Sequence, residues 1–192
     1  MTDQIDISGF WTKGDTLARI LNALEKAGLP LDNLSVLDLA PVDHLHARGL
    51  PATVDLANRL PIERGQHILD IGCAVGGPAR YMAERFGCRV AGIDITPSFI
   101  EAGEALNRLT GMGDGVDLQV GDGGSLPYED AFFDGAYTQH VTMNVADRAA
   151  FFAEAFRVVK PGGSSPCQST AWGLRATRST LCPGPTNRPQ AS

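Results

Sequence analysis

No stretch of this chain approaches the roughly 18 consecutive apolar residues that a membrane-spanning helix needs. Its first six residues lack the charged-then-apolar order of a secretory signal. The expectation is a cytoplasmic protein with no membrane partner. A basic block is also missing: 16 Lys and Arg stand against 22 acids, for a net charge of −6. Neutralising a phosphate backbone takes clustered cations, which argues against nucleic acid as the main partner. Cysteine is sparse, and Cys73, Cys88, Cys167 and Cys182 form neither a C-x-x-C pair nor a Cys/His metal spacing. Cys73 sits where a helix N-terminus can lower a thiol pKa, yet a small residue packed into a crowded loop is the preferred reading. His44 and His46 lack a third ligand at a recognisable spacing, so no metal is expected. Residues 43–49 read instead as a polar loop, either closing over a pocket or simply solvated.

What is present suits one domain with room for a small appendage: 192 residues, 43% of them hydrophobic. Asp15 or Thr16 can cap a helix whose stripe is Leu17, Ile20, Leu21 and Leu24, stopped at Gly28-Leu29-Pro30. Leu34, Leu37 and Leu39 suggest a short second helix. Pro51, with Val54, Leu56, Ala57 and Leu60, starts a third that ends at Pro61.

From Gln66 the periodicity changes. Ile68-Leu69-Asp70-Ile71 is a continuous apolar strand, as expected where both faces are covered. Helix (Pro78–Phe86), strand (Arg89–Asp94), helix (Pro97–Leu109) and strand (Val116–Val120) come next. A fourth strand covers Phe132–Thr138, and Asp147 caps a last helix running through Val159 to a stop at Lys160-Pro161-Gly162-Gly163. This alternation predicts an α/β fold: a Rossmann-like, doubly wound, mainly parallel sheet beneath an N-terminal helical cap. The expected division is a cap over residues 1–60, a core over 61–163 and a tail over 164–192.

The tail is foreign to the rest. Residues 164–192 contain no Asp or Glu, and Leu174 and Leu181 are their only large aliphatics. Such a composition is expected to stay disordered. One permitted set of GC-rich codons for it, read two bases on, encodes an aliphatic start suited to a strand. A frameshift is therefore preferred over a natural disordered tail, and the sheet is expected to be incomplete on its C-terminal side, leaving the fourth strand with an open edge.

Three loops fall at the carboxyl ends of neighbouring parallel strands: Asp70–Gly77, Asp94–Thr96 and Gly121–Gly124. Ligands of open α/β sheets bind there. Glycines at 72, 76 and 77 allow close backbone approach. Asp94, about 20 residues past the glycine loop, suits ribose hydroxyls. Asp122 suits an amino group such as that of adenine.

With these in place the sequence resembles the class I S-adenosylmethionine-dependent methyltransferases, of the small-molecule type with a helical cap. The residues that carry the likeness are Leu69 to Gly77, Gly92-Ile93-Asp94-Ile95, Gly121-Asp122, Leu126-Pro127-Tyr128, Phe133-Asp134, Glu154 and Arg157 to Gly163. The resemblance implies a seven-stranded sheet and S-adenosylmethionine as cofactor. It assigns the methionine end to Asp70, Gly72, Cys73, Ala74, Gly76 and Gly77, and the ribose to Asp94 beside Ile95. Asp122 and Gly123 would take the adenine, while Gln139 and His140 face the methyl group, His140 as the catalytic base. The family usually has glycine where this chain has Ala74. The implied partner is a small-molecule methyl acceptor of amine, phenol or quinone type. Two alternatives stand beside it: a nicotinamide-type oxidoreductase, since Gly72-x-Ala74-x-x-Gly77 scans as a degraded dinucleotide fingerprint, and a truncated product that binds cofactor without turnover.

Overall fold

The computed structural model describes residues 15–46, 48–168 and 174–176. The lead-in with Phe10 and Trp11, and tail positions 169–173 and 177–192, lie outside the described residues.

Among the described residues, three helices come first. In α1 (Thr16–Lys26) the Asp15 carboxylate accepts from the Ala18 N–H at 3.0 Å, closing the first turn. A reciprocal capping box between Ser35 and Asp38 starts α2 (Val36–Asp43). Pro51 sits in the first turn of α3 (Leu50–Ala57), where a missing N–H costs nothing. Ile20, Leu24, Leu34 and Leu39 of this cap pack on Val75, Phe99, Ala102 and Leu106, which layers the cap onto the sheet-bearing core.

The core alternates β1 (His67–Ile71), α4 (Gly77–Phe86), β2 (Arg89–Asp94), α5 (Pro97–Leu109) and β3 (Val116–Val120). It continues with β4 (Phe133–Gln139), a short 3₁₀ turn (Thr142–Asn144), α6 (Arg148–Arg157), β5 (Val159–Gln168) and β6 (Leu174–Ala176). These form one six-stranded sheet in the order β3-β2-β1-β4-β5-β6. Every pairing is parallel except β5 with β6. Side chains alternate across β1: Ile68 joins a core with Met82, Val90 and Tyr137, whereas Leu69 and Ile71 join a second core with Phe133, Phe151 and Ala155. Burial on both faces is why the strand reads as an unbroken apolar run.

The C-terminal part departs from the sequence expectation in three ways. The last helix stops at Arg157 instead of running through Val159: Val158 is its C-cap, with its carbonyl accepting from Phe133 N–H at 2.9 Å, and the buried, β-branched Val159 opens the next strand. Pro161-Gly162-Gly163 does not end an element. Val159 pairs with Phe133 and Ser164 with Gly135, so the chain bulges out between those two pairings, with Gly162 at φ +90°. Finally, β4 has no open edge, because β5 runs on to Gln168 beside it and β6 adds an antiparallel strand. Residues 164–168 and 174–176 are thus strand, not tail; backbone pairing asks nothing of their side-chain composition. Among the described residues the sheet has six strands, where the resemblance implies seven.

The strand order positions the site. The chain winds outward from β1 to β3, then returns to place β4 on the other side of β1. Loops leaving β1 and β4 head apart at that reversal, and a crevice opens between them.

Candidate active site

The crevice is built from three strand ends. Asp70 lies in β1, directly across from Gly92 in β2 and Tyr137 in β4. Side chains paired this way share a face of the sheet, which brings the Tyr137 hydroxyl to donate to Asp70 Oδ2 at 2.9 Å. The turn after β1 needs a glycine at 72: its φ is +81°, and a Cβ there would overlap the Val141 side chain. Ala74, two residues on, takes φ +48°, a left-handed conformation that costs an alanine more than the glycine usual at this place.

One pocket occupies the crevice. Asp70, Gly72, Cys73 and Ala74 line it from the β1 loop, Asp94 and Ile95 from the end of β2, and Gln139 and His140 from the end of β4. Eight of the twelve residues singled out in the sequence therefore meet in one cavity. Gly76, Gly77, Asp122 and Gly123 are not among its lining residues. Gly77 serves packing instead, since a Cβ there would lie 2.5 Å from the Asp43 carbonyl oxygen at the end of α2. Gly76 packs in the same way against Leu118 and Arg80, and Gly123 against Phe151 and Ile71. Asp122 is exposed beyond β3, where its carboxylate accepts from the Gly124 N–H at 2.8 Å in a local turn.

Electrostatics separate the two pocket acids. Asp70 is 2% exposed. Burial pushes its pKa up from 3.8 to about 7; the Tyr137 hydrogen bond opposes that rise and the charge of Asp94 adds to it. It is a buried carboxylate beside a cavity, with no cation bonded to it among the described residues, and it suits a ligand ammonium. Asp94 is instead held by the backbone, its Oδ2 accepting from Ala74 N–H at 3.0 Å and its Oδ1 from Thr96 N–H at 2.9 Å. Both oxygens are aimed at the β1 loop and the start of α5, at the pocket wall. Burial raises the Cys73 thiol well above its ordinary pKa, so it is a packed residue and not an activated nucleophile. His140, at φ +58°, is half-buried, and burial lowers its pKa below 6.5, which keeps the imidazole neutral at pH 7.

The cap contributes residues to the pocket that the sequence did not single out as ligands. Asp43, Leu45 and His46 line it, as do Phe99 and Asn144. Beneath them Arg80 is fully buried: Nη2 donates to Asp43 Oδ2 at 3.0 Å and to Val75 C=O at 2.7 Å, and Nη1 donates to Asn107 Oδ1 at 2.7 Å. The other Asp43 oxygen lies 2.6 Å from His44 Nδ1. The only sequence cue was a cation, Arg80, directly beside the apolar stripe of α4; nothing local linked it to Asp43, 37 residues upstream. His44 and His46 do not converge on one point. His44 turns to Asp43, while His46 stacks on His140.

Comparison with known proteins bears on this geometry. A family model described as "Methyltransferase domain" matches residues 69–165. The chain is 36% identical over 115 residues to phosphoethanolamine N-methyltransferase 1 of Arabidopsis thaliana, covering 60% of this chain and 23% of that protein. It is 40% identical over 108 residues to a sterol 24-C-methyltransferase of Eremothecium gossypii, covering 56% and 29% respectively. A solved structure of Haemonchus contortus phosphoethanolamine N-methyltransferase 2 in complex with S-adenosyl-L-methionine superposes with a TM-score of 0.56 at 30% identity, covering 62% of this chain and 28% of that one.

The match spans the β1 loop, the β2 acid and the β4 end, the three elements that build the pocket. This chain belongs to the methyltransferase domain family. It spans under a third of the length of the curated relatives named here.

Proposed function

We propose that this chain binds S-adenosylmethionine in the crevice and transfers its methyl group to a small-molecule acceptor. The observation that carries the reading is the convergence of Asp70, Asp94 and His140, from three strand ends, on one pocket. When bound, the cofactor supplies a methyl group on a positively charged sulfur, already activated for displacement. Asp70, Gly72, Cys73 and Ala74 hold its methionine end, with the Asp70 carboxylate ionised by the ligand ammonium. Asp94 and Ile95 would hold the ribose.

The protein's own contribution is alignment and proton removal. Fixing two reactants in line is worth as much as about 7–11 kcal/mol of barrier. His140 accepts the proton of an acceptor O–H or N–H, a task that its lowered pKa suits at neutral pH. Leu45 and Val141, both lining the pocket, present apolar surface to the acceptor. Among amine, phenol and quinone acceptors, that apolar surface favours the phenol and quinone rings over a small amine. A nicotinamide-type reading loses its support, since the family match covers the degraded fingerprint itself.

Thermal melting with and without S-adenosylhomocysteine tests the cofactor reading, followed by methyl transfer from labelled S-adenosylmethionine to amines, phenols and quinols. A ligand at about 100 times its Kd stabilises by about 2.7 kcal/mol. A raised melting temperature with turnover supports the full proposal. A raised melting temperature with no acceptor turned over supports the binding product without catalysis.

A further inference from the structure

This inference rests on the reading of His140 as the base. We propose that His46, in the loop after α2, is a positioning residue for His140, holding that imidazole at the acceptor end of the pocket by a ring stack from the cap onto the core. The two ring centroids lie 4.8 Å apart with planes 17° from parallel. On its other side His46 meets His44 edge-on at 5.8 Å and 75°.

Two features make the stack more than an incidental contact. His140 comes directly after the last residue of β4 and takes φ +58°, so its backbone leaves the sheet and its ring direction depends on what packs against it. A relay through the fully buried Thr53 of α3 then locks the partner ring. The Thr53 hydroxyl donates to Gln139 Oε1 at 3.2 Å, which leaves its oxygen to accept from His46 Nε2–H at 3.4 Å. These contacts tie His46, Thr53, Gln139 and His140 together.

The stack also bears on charge. Burial lowers the His140 pKa, and the stacked His46 ring is part of what covers it, so the neutral imidazole is favoured. The titratable groups around the pair are Asp43 and His44 on the cap side and Asp70 and Asp94 across the pocket. From α3 the group that faces it is the uncharged Thr53, since Asp55 is paired with Arg48.

The chain has four histidines, so proton–carbon NMR of the imidazole C–H groups resolves each of them, with His140→Gln assigning the signal of interest. In His46→Ala and His46→Gln the His140 resonance is expected to lose its upfield ring shift, and its titration midpoint to rise toward 6.5. His46→Phe, which keeps a flat ring, is expected to retain the upfield shift. An unchanged His140 resonance and midpoint in the ringless variants overturns the proposal. So does a tenfold loss of S-adenosylhomocysteine affinity, which makes His46 a cofactor contact, or unfolding of both ringless variants, which makes it structural. Failure of the wild-type chain to bind S-adenosylhomocysteine overturns the methyltransferase reading alone and leaves the NMR comparison standing.

Discussion

Asp70 is the residue on which stability and binding pull in opposite directions. Its pKa is about 7 in the folded chain against 3.8 when solvated. Between those values the folded state holds a proton that the unfolded state has lost, so this group's contribution to stability falls as pH rises, by up to about 1.4 kcal/mol per unit. Asp70→Asn removes that cost and is expected to raise the melting temperature of the ligand-free chain at pH 8. The same change is expected to weaken S-adenosylhomocysteine binding at least tenfold, because the ligand ammonium loses its counter-charge. Calorimetry on the wild type is expected to show tighter binding at pH 8 than at pH 6, with proton release. Ala74 gives a second test. Replacing it by glycine relieves a left-handed alanine and is expected to stabilise by up to about 1 kcal/mol in urea unfolding, less whatever chain entropy glycine adds.

At the scale of elements, the Asp43–Arg80 pair fastens the cap to the core. Both side chains are fully buried, so removing Arg80 leaves Asp43 buried with only the His44 imidazole beside it. Arg80→Met is expected to cost about 3–5 kcal/mol in chemical denaturation, and Arg80→Lys to rescue only part, since a single ammonium cannot reproduce donors to Asp43, Val75 and Asn107. A smaller clamp joins α6 to the loop before β4. Glu154 accepts from Leu126 N–H at 2.8 Å and from Arg157, whose guanidinium also donates to the carbonyls of Leu126 and Tyr128. Arg157 holds the Glu154 pKa below 4.5, so this clamp stabilises above that pH and is lost as acid protonates it.

These two clamps show which parts of the chain were legible in sequence. β1, β2, β3, α4 and α5 were readable because each element's own period, caps and glycines decide it. The pocket residues at 70–74, 94–95 and 139–140 were readable because parallel-sheet topology sends strand ends to one edge. The helix end at Arg157 and the whole of β5 were not. There a proline and two glycines, the usual marks of a stop, fit into a bulge beside β4, and only the partner strand reveals it. The histidine stack was equally hidden, since 94 residues separate its two members and no local pattern joins them.

For the whole molecule, the reversal of strand order between β1 and β4 sets the function. It gathers a buried acid, a backbone-held acid and a neutral histidine around one cleft, and the cap closes that cleft from above with Asp43, Leu45 and His46. The most direct test is isothermal titration of the wild-type chain and of Asp94→Ala with S-adenosylmethionine and, separately, with NAD. Saturable one-to-one binding of S-adenosylmethionine to the wild type is predicted, weakened at least tenfold in Asp94→Ala, with no heat from NAD. A folded wild-type chain that ignores S-adenosylmethionine, or that takes NAD in its place, would contradict it.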